Sequence, residues 1–182
     1  MNTNLLLAIN GWAGHNHLLD AIMVFCAVYL IFIVFAAALG CVIYLAYQRE
    51  WRELIYFAAA LVVSFAVLYL LGHFVNENRP FVTYHLHQLV AHATGKSFPS
   101  DHTTATAAIG FALLLLTRFK KIGAAIACVA ALIGFARVFV GVHYPFDIVG
   151  GLFVGLAGAL IVLLAKKLLT KNATRREYHS KN

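Results

Sequence analysis

Charge is what this chain has least of. Only 12% of its 182 residues are charged, 62% are hydrophobic, and the acidic residues number seven. That balance excludes a soluble domain, because long apolar runs with so few charges read as membrane spans. Cysteine is also scarce, with Cys26, Cys41 and Cys128 alone. The odd count and the absence of metal-type spacing exclude a disulfide framework. All three lie inside apolar runs, so buried free thiols are expected. Proline occurs three times, at Pro80, Pro99 and Pro145, and each stands at the edge of a hydrophobic run. Residues 1–17 lack a basic n-region and a continuous apolar core, so they are not expected to form a cleavable signal peptide. Asn4 to Trp12 reads as a short amphipathic stretch lying at the membrane interface.

What is present is apolar length. Five runs qualify as spans: Leu18–Tyr47, Leu54–Val75, Thr103–Thr117, Ile122–Val140 and Phe146–Leu164. A span needs about 20 residues, so the first run must be tilted, bent or partly interfacial. The third is short and can extend at its Ser100 end. Open sheets cannot satisfy their backbone in lipid. The expected fold is therefore all-α, a polytopic transmembrane bundle of five to six helices forming one domain over residues 1–182.

The net charge of +7 could suggest nucleic acid, but the placement of the charge argues for topology instead. Arg49 and Arg52 follow the first run. Arg118, Lys120 and Lys121 lie between the third and fourth. Lys166, Lys167, Lys171, Arg175, Arg176 and Lys181 follow the fifth. Five spans put these eleven of fourteen basic residues on one side, leaving only Arg79, Lys96 and Arg137 on the other. The positive-inside rule makes the rich side cytoplasmic. The N-terminus is then outside, and residues 166–182 form a basic cytoplasmic tail. No nucleic-acid partner is expected.

The same topology carries three polar clusters to the outer face. Asn78-Arg79-Pro80 closes the second span. Proline ends the helix and fixes the exit of the chain, holding a guanidinium that can fork onto phosphate oxygens. Pro99-Ser100-Asp101-His102 opens the third span. Ser100 is a candidate N-cap, the amides that follow it suit an anion, and His102 in the first turn can donate a proton to a departing oxygen. Arg137, His143 and Asp147 link the fourth and fifth spans. Asp147 can reach back four residues to His143, fix its tautomer and leave the other ring nitrogen as a nucleophile. Gly141 lets this loop fold toward the site, and Pro145 suits the first turn of a helix. Of the remaining histidines, His179 lies in the tail. His15, His17, His73, His85, His87 and His92 lie on or near the outer side and read as loop or interfacial residues.

Together these clusters resemble the type 2 phosphatidic acid phosphatase superfamily of integral membrane lipid phosphatases, over residues 72 to 151. That family carries Lys-x6-Arg-Pro, Pro-Ser-x-His and Ser-Arg-x5-His-x3-Asp motifs. The second is complete here at Pro99-Ser100-Asp101-His102. The third is met by Arg137, His143 and Asp147, with Ala136 in place of the serine. In the first, Gly72 stands where the family has lysine, so that contact is missing or is supplied by His73 or Lys96. Ser97 to Thr104, Val140 to Pro145, the short length and Glu77 are similar to one branch, the bacterial bacitracin-resistance undecaprenyl pyrophosphate phosphatases.

The resemblance implies hydrolysis of undecaprenyl pyrophosphate outside the cytoplasmic membrane of a bacterium, recycling the cell-wall carrier lipid without metal or cofactor. It implies His143 as nucleophile, Asp147 as its orienting group and His102 as acid. Arg79, Arg137, Ser100 and Asp101 would hold phosphate, with Glu77 in an accessory position. Another lipid phosphate, such as phosphatidylglycerophosphate, phosphatidate or diacylglycerol pyrophosphate, is the alternative substrate. A metal-binding protein using His85 and His87 and a non-catalytic transporter are the readings from other classes. Gly151 and Gly155 form a small-xxx-small pair, expected to pack within the bundle first and to offer a dimer face second.

Overall fold

The computed structural model describes residues 1–180, with side chains as far as Lys171. Among the described residues every regular element is a helix, and the only β pairing is one antiparallel bridge between Asn78 and Lys96. The order is α1 (Asn2–Asn10), α2 (His17–Val28), α3 (Leu30–Tyr47), α4 (Trp51–Phe74), α5 (Pro80–Thr83), α6 (Asp101–Leu116), α7 (Lys120–Phe139) and α8 (Pro145–Ser180). Four stretches are long and apolar enough to cross a membrane: α3, α4, α7 and Pro145–Lys171 of α8. A helix closes its own backbone hydrogen bonds, which is what lets such a stretch sit in lipid. Phe32, Ile33, Leu39, Ile43, Ile55, Val62 and Tyr69 point outward from α3 and α4. In water that surface would be costly; in hydrocarbon it is not.

The long first run bends, as its length requires. It divides at Tyr29, where the Phe32 amide reaches back only three residues to the Tyr29 carbonyl, at 3.0 Å. The run is thus two helices, α2 and α3. At the other end of the chain α8 continues well past Leu164. Lys166 lies over the ring of Tyr56, 5.0 Å from its centroid. The expected tail side chains Arg175, Arg176, His179 and Lys181 fall outside the described ones.

The centre of the bundle is α6, buried along nearly its whole length and packed by α7, α8 and α4. Small residues let these helices approach closely. A methyl group added to Gly110 would stand 2.7 Å from the amide of Ala127 on α7, and one on Gly155 would stand 2.6 Å from the Cβ of Ala107. Gly151 likewise meets Thr103 and the Ser100 carbonyl, and Gly158 meets Ser64. Gly151, Gly155 and Gly158 therefore pack inside the chain, against α6 and α4. Cys26 and Cys41 are buried as expected, but Cys128 is exposed. It follows the buried Ile126 by two positions, which on a helix is the opposite face.

Antiparallel packing gives the bundle two polar ends. At one, Arg118 after α6 pairs with Glu50 and, at 3.7 Å, with Glu53 of α4. At the other stand the end of α4, the start of α6 and the α7–α8 connection, which carry the three clusters. The short helix α1 packs at this second end against α7 and α8, with Leu6 and Asn10 buried.

Candidate active site

Each cluster is set by a helix terminus. After α4 ends at Phe74 the chain is extended, and Pro80 opens α5 with Arg79 at its N-cap position. Arg79 is only 6% exposed. Ser100 caps α6 as expected: its Oγ accepts from the Thr103 amide at 3.5 Å and the Thr103 hydroxyl at 3.1 Å. The Ser100 amide itself donates to the Asp147 carbonyl at 3.1 Å, which fixes the start of α6 to that of α8. Arg137 occupies the last turn of α7 and is buried. The chain then reverses through Gly141, whose φ of +81° suits glycine. A side chain there would also crowd the Asn10 amide and the His87 carbonyl, at 3.2 and 3.3 Å. Pro145 begins α8, so His143 lies just before its first turn and Asp147 within it.

His143 and Asp147 are buried, and the predicted contact is made: His143 Nδ1 lies 3.1 Å from Asp147 Oδ2. On the other side of the ring, Arg79 Nη1 lies 3.0 Å from His143 Nε2. A guanidinium can only donate. Nε2 therefore accepts, and the ring proton belongs on Nδ1, facing the carboxylate. Two independent neighbours thus assign one tautomer, with the Nε2 lone pair directed toward Arg79. Burial holds His143 well below the usual histidine range, at about 4, with Arg137 and Arg79 pushing the same way against the Asp147 hydrogen bond. The ring is neutral at physiological pH.

Asp147 Oδ2 is held by two further donors, the Tyr144 amide at 2.8 Å and the hydroxyl of Ser97. Ser97 was not among the residues expected here. Its one sequence signal is its place in the run Ser97-Phe98-Pro99-Ser100. The adjoining segment is pinned by the Ser97 amide on the Glu77 carbonyl at 2.8 Å and by the Asn78–Lys96 bridge. Glu77 is half-buried, and its carboxyl is raised by burial first and by Asp147 second.

Several donors in this pocket have no acceptor. Arg79 uses Nη1 on His143 and on the Val142 carbonyl, leaving Nε buried and unpartnered. Arg137 reaches only the Ala27 carbonyl, at 3.4 Å, so its Nε and Nη2 are unpartnered too. Unmet buried donors cost free energy, the more so on a cation. An anion with several oxygens would satisfy them. His102, half-buried in the first turn of α6, lies within electrostatic reach of Arg137, His143, Arg79 and His92. Asp101 is exposed and borders a cavity of about 530 Å³. That cavity is lined by Phe65, Leu68 and Tyr69 of α4, by Phe98 and by Gly72, His73 and Lys96. Lys96 Nζ donates to the His73 carbonyl at 3.2 Å, so a lysine does face the space beside Gly72, though from the opposite strand of chain.

Sequence reasoning also missed His92, read above as an ordinary loop residue. Its ring stands 6.5 Å from that of His143. The path of the loop explains this: Asn10 of α1 clamps the backbone of His87, donating to its carbonyl at 2.9 Å and accepting from its amide at 3.0 Å. No local pattern in residues 84–97 announces that tertiary clamp. Among the described residues no group of three or more His, Cys, Asp or Glu side chains is placed to hold a metal ion.

Residues 53–171 match the PAP2 superfamily. The chain is 37% identical to the undecaprenyl-diphosphatase BcrC of Bacillus subtilis (strain 168), over 86% of this chain and 79% of that protein. It is 34% identical to the putative undecaprenyl-diphosphatase YbjG of Escherichia coli (strain K12), over 88% and 80%. Among solved structures, Aquifex aeolicus LpxE superposes with a TM-score of 0.72 at 27% identity, covering 89% of this chain and 94% of that one. Apolar helices, a buried Arg–His–Asp constellation and relatives matched over most of their length agree, and the chain belongs to the PAP2 superfamily.

Proposed function

We propose that this protein is a multi-pass lipid diphosphatase of a bacterial cytoplasmic membrane, hydrolysing undecaprenyl diphosphate to undecaprenyl phosphate and inorganic phosphate. The carrying observation is the His143 ring held between Asp147 and Arg79, its Nε2 lone pair directed at Arg79 Nη1 beside guanidinium nitrogens that have no partner. The names of the relatives matched over most of their length support the substrate. The charge distribution supports a site on the outer face, with the C-terminus inside.

In this scheme the terminal phosphate enters between Arg79, Arg137, Ser100 and the first amides of α6, including that of Asp101. The Arg79 guanidinium turns from Nε2 to a phosphate oxygen, freeing the lone pair. Nε2 attacks the terminal phosphorus, and the bond to the bridging oxygen breaks. His102, protonated from solvent once the bound phosphate offsets Arg137 and Arg79, gives that proton to the departing lipid phosphate. Asp147 offsets the positive charge of the phosphohistidine formed on His143. Water then loses a proton to His102 and displaces the phosphoryl group from Nε2, releasing inorganic phosphate. Glu77 borders this site. The cavity along Phe65, Leu68, Tyr69 and Phe98 gives the first prenyl units an apolar wall.

The test is phosphate release from undecaprenyl diphosphate by purified protein in detergent with EDTA, beside a His143→Ala control. Release by the wild type and a loss of at least about a thousandfold in the variant are expected. Near-normal release by the variant would overturn the mechanism. Release from phosphatidate or phosphatidylglycerophosphate, but not from the diphosphate, would overturn the substrate alone.

A further inference from the structure

Residues 84–97 form no regular helix or strand, yet they are fixed on both sides of His92. Upstream, the buried Asn10 grips His87 and also bonds the Phe139 carbonyl at 2.8 Å, tying the loop to the end of α7. The Leu89 amide donates to the Val140 carbonyl at 3.3 Å, and Leu89 and Val90 pack against Phe139, Val140 and Val142. Downstream, Lys96 and Ser97 are held to Asn78 and Glu77. A loop anchored this way delivers its central side chain to a defined place.

That place is beside the His143 ring. The His92 ring crosses that of His143 at 73°, 6.5 Å between centroids. Its Nδ1 is 3.0 Å from the Ala93 carbonyl. A carbonyl only accepts, so Nδ1 carries the proton and Nε2 holds the free lone pair. Among the described residues no hydrogen bond to that Nε2 is made. The groups that act on the ring are Arg79, Arg137 and Asp101, and His102 and His143 lie alongside. Burial and the two arginines hold His92 below the usual histidine range, against Asp101 and the Ala93 hydrogen bond, so the ring favours its neutral form in the empty pocket.

We propose that His92 is a phosphate-contacting residue of this site, its Nε2 bonded to an oxygen of the bound phosphoryl group, and that the ring takes up one proton from solvent as the anion binds. The inference rests on the phosphatase reading above. A phosphate dianion cancels the field of Arg79 and Arg137, which removes the obstacle to protonation. The protonated ring then donates a charge-assisted hydrogen bond that the neutral ring cannot make. His92 thereby adds a cation that appears only with substrate and leaves again with product.

The test uses full-length protein in detergent and inorganic phosphate as the probe. Its inhibition constant against lipid-diphosphate turnover is measured from pH 6 to 8 for wild type, His92→Ala and His92→Gln. Titration calorimetry in buffers of different ionisation enthalpy counts protons taken up on phosphate binding. Phosphate's own titration is common to all three proteins, so the differences belong to residue 92. Phosphate affinity and KM are expected to worsen about tenfold in His92→Ala at pH 7, with kcat changed less. The gap should narrow toward pH 8. His92→Gln, which keeps a donor but cannot titrate, should recover part of the affinity and none of the extra proton uptake. Equal affinity and equal proton uptake in wild type and His92→Gln would overturn the proposal, whether or not His92→Ala folds. Failure of the phosphatase reading would appear separately, as turnover that survives His143→Ala.

Discussion

At one end of the bundle Arg118 joins Glu50 and Glu53 with its side chain 40% exposed; at the other, Arg79 and Arg137 are no more than 6% exposed, and His143 and Asp147 no more than 1%. Both ends connect α4 to the core with charge. The first pairs Arg118 with two carboxylates in contact with solvent, as a helix junction does. The second buries two cations whose donors are only partly met and gives the carboxylate to a histidine rather than to either arginine. Charges arranged for stability are matched with each other. The buried set keeps donors unmet within the protein, as the proposed binding of a multi-oxygen anion requires.

Predictions follow the depth of burial. Beyond His143→Ala, the largest effect expected is from Asp147→Asn. It keeps the shape but removes the charge facing Nδ1, and turnover should fall roughly a hundredfold or more. A variant within threefold of wild type would separate Asp147 from the chemistry. Ser97→Ala removes one of three donors on the same oxygen. A loss of about tenfold in kcat with little change in KM is expected, and steady-state kinetics separates the two.

The pH dependence sharpens the contrast further. With its pKa lowered to about 4, His143 stays neutral in the free enzyme far into acid. The acid limb of kcat/KM should therefore not owe its position to protonation of His143 near 6.5. The sign for stability follows from the same shift. The unfolded chain binds the proton first, so stability is fully present above about 6.5 and is lost as pH falls toward 4. Denaturation midpoints for wild type and His143→Gln should diverge over that window. The smallest effect belongs to the exposed end: Arg118→Ala should leave turnover unchanged and shift the melting temperature little, since exposed pairs contribute little. A large loss of activity there would break the comparison.

Much of this was legible from local pattern. The apolar runs gave the helices because in lipid no other element closes its backbone hydrogen bonds. Ser100, Pro145 and Gly141 were readable because a cap, a first turn and a positive φ each favour particular residues. The four-residue spacing of His143 and Asp147 gave their contact. Three features were not readable, for one reason. Cys128 faces outward because of which side of α7 meets α6. Ser97 reaches Asp147, fifty residues on, because residues 96–97 pair with 77–78. His92 reaches the pocket because Asn10, at the far end of the chain, holds His87. Each depends on contacts across long stretches of sequence, where one chain without its fold carries no periodic signal.

The hydrogen bond from Arg79 to His143 Nε2 has a consequence for the idle protein. A histidine with a free lone pair at a membrane surface would be open to any electrophile that drifts in. Here the lone pair is already spoken for by the Arg79 guanidinium, which in the proposed scheme lets go when an anion offers it better company. On that scheme the ligand that needs the nucleophile is also the one that uncovers it, and until it arrives water meets a capped nitrogen.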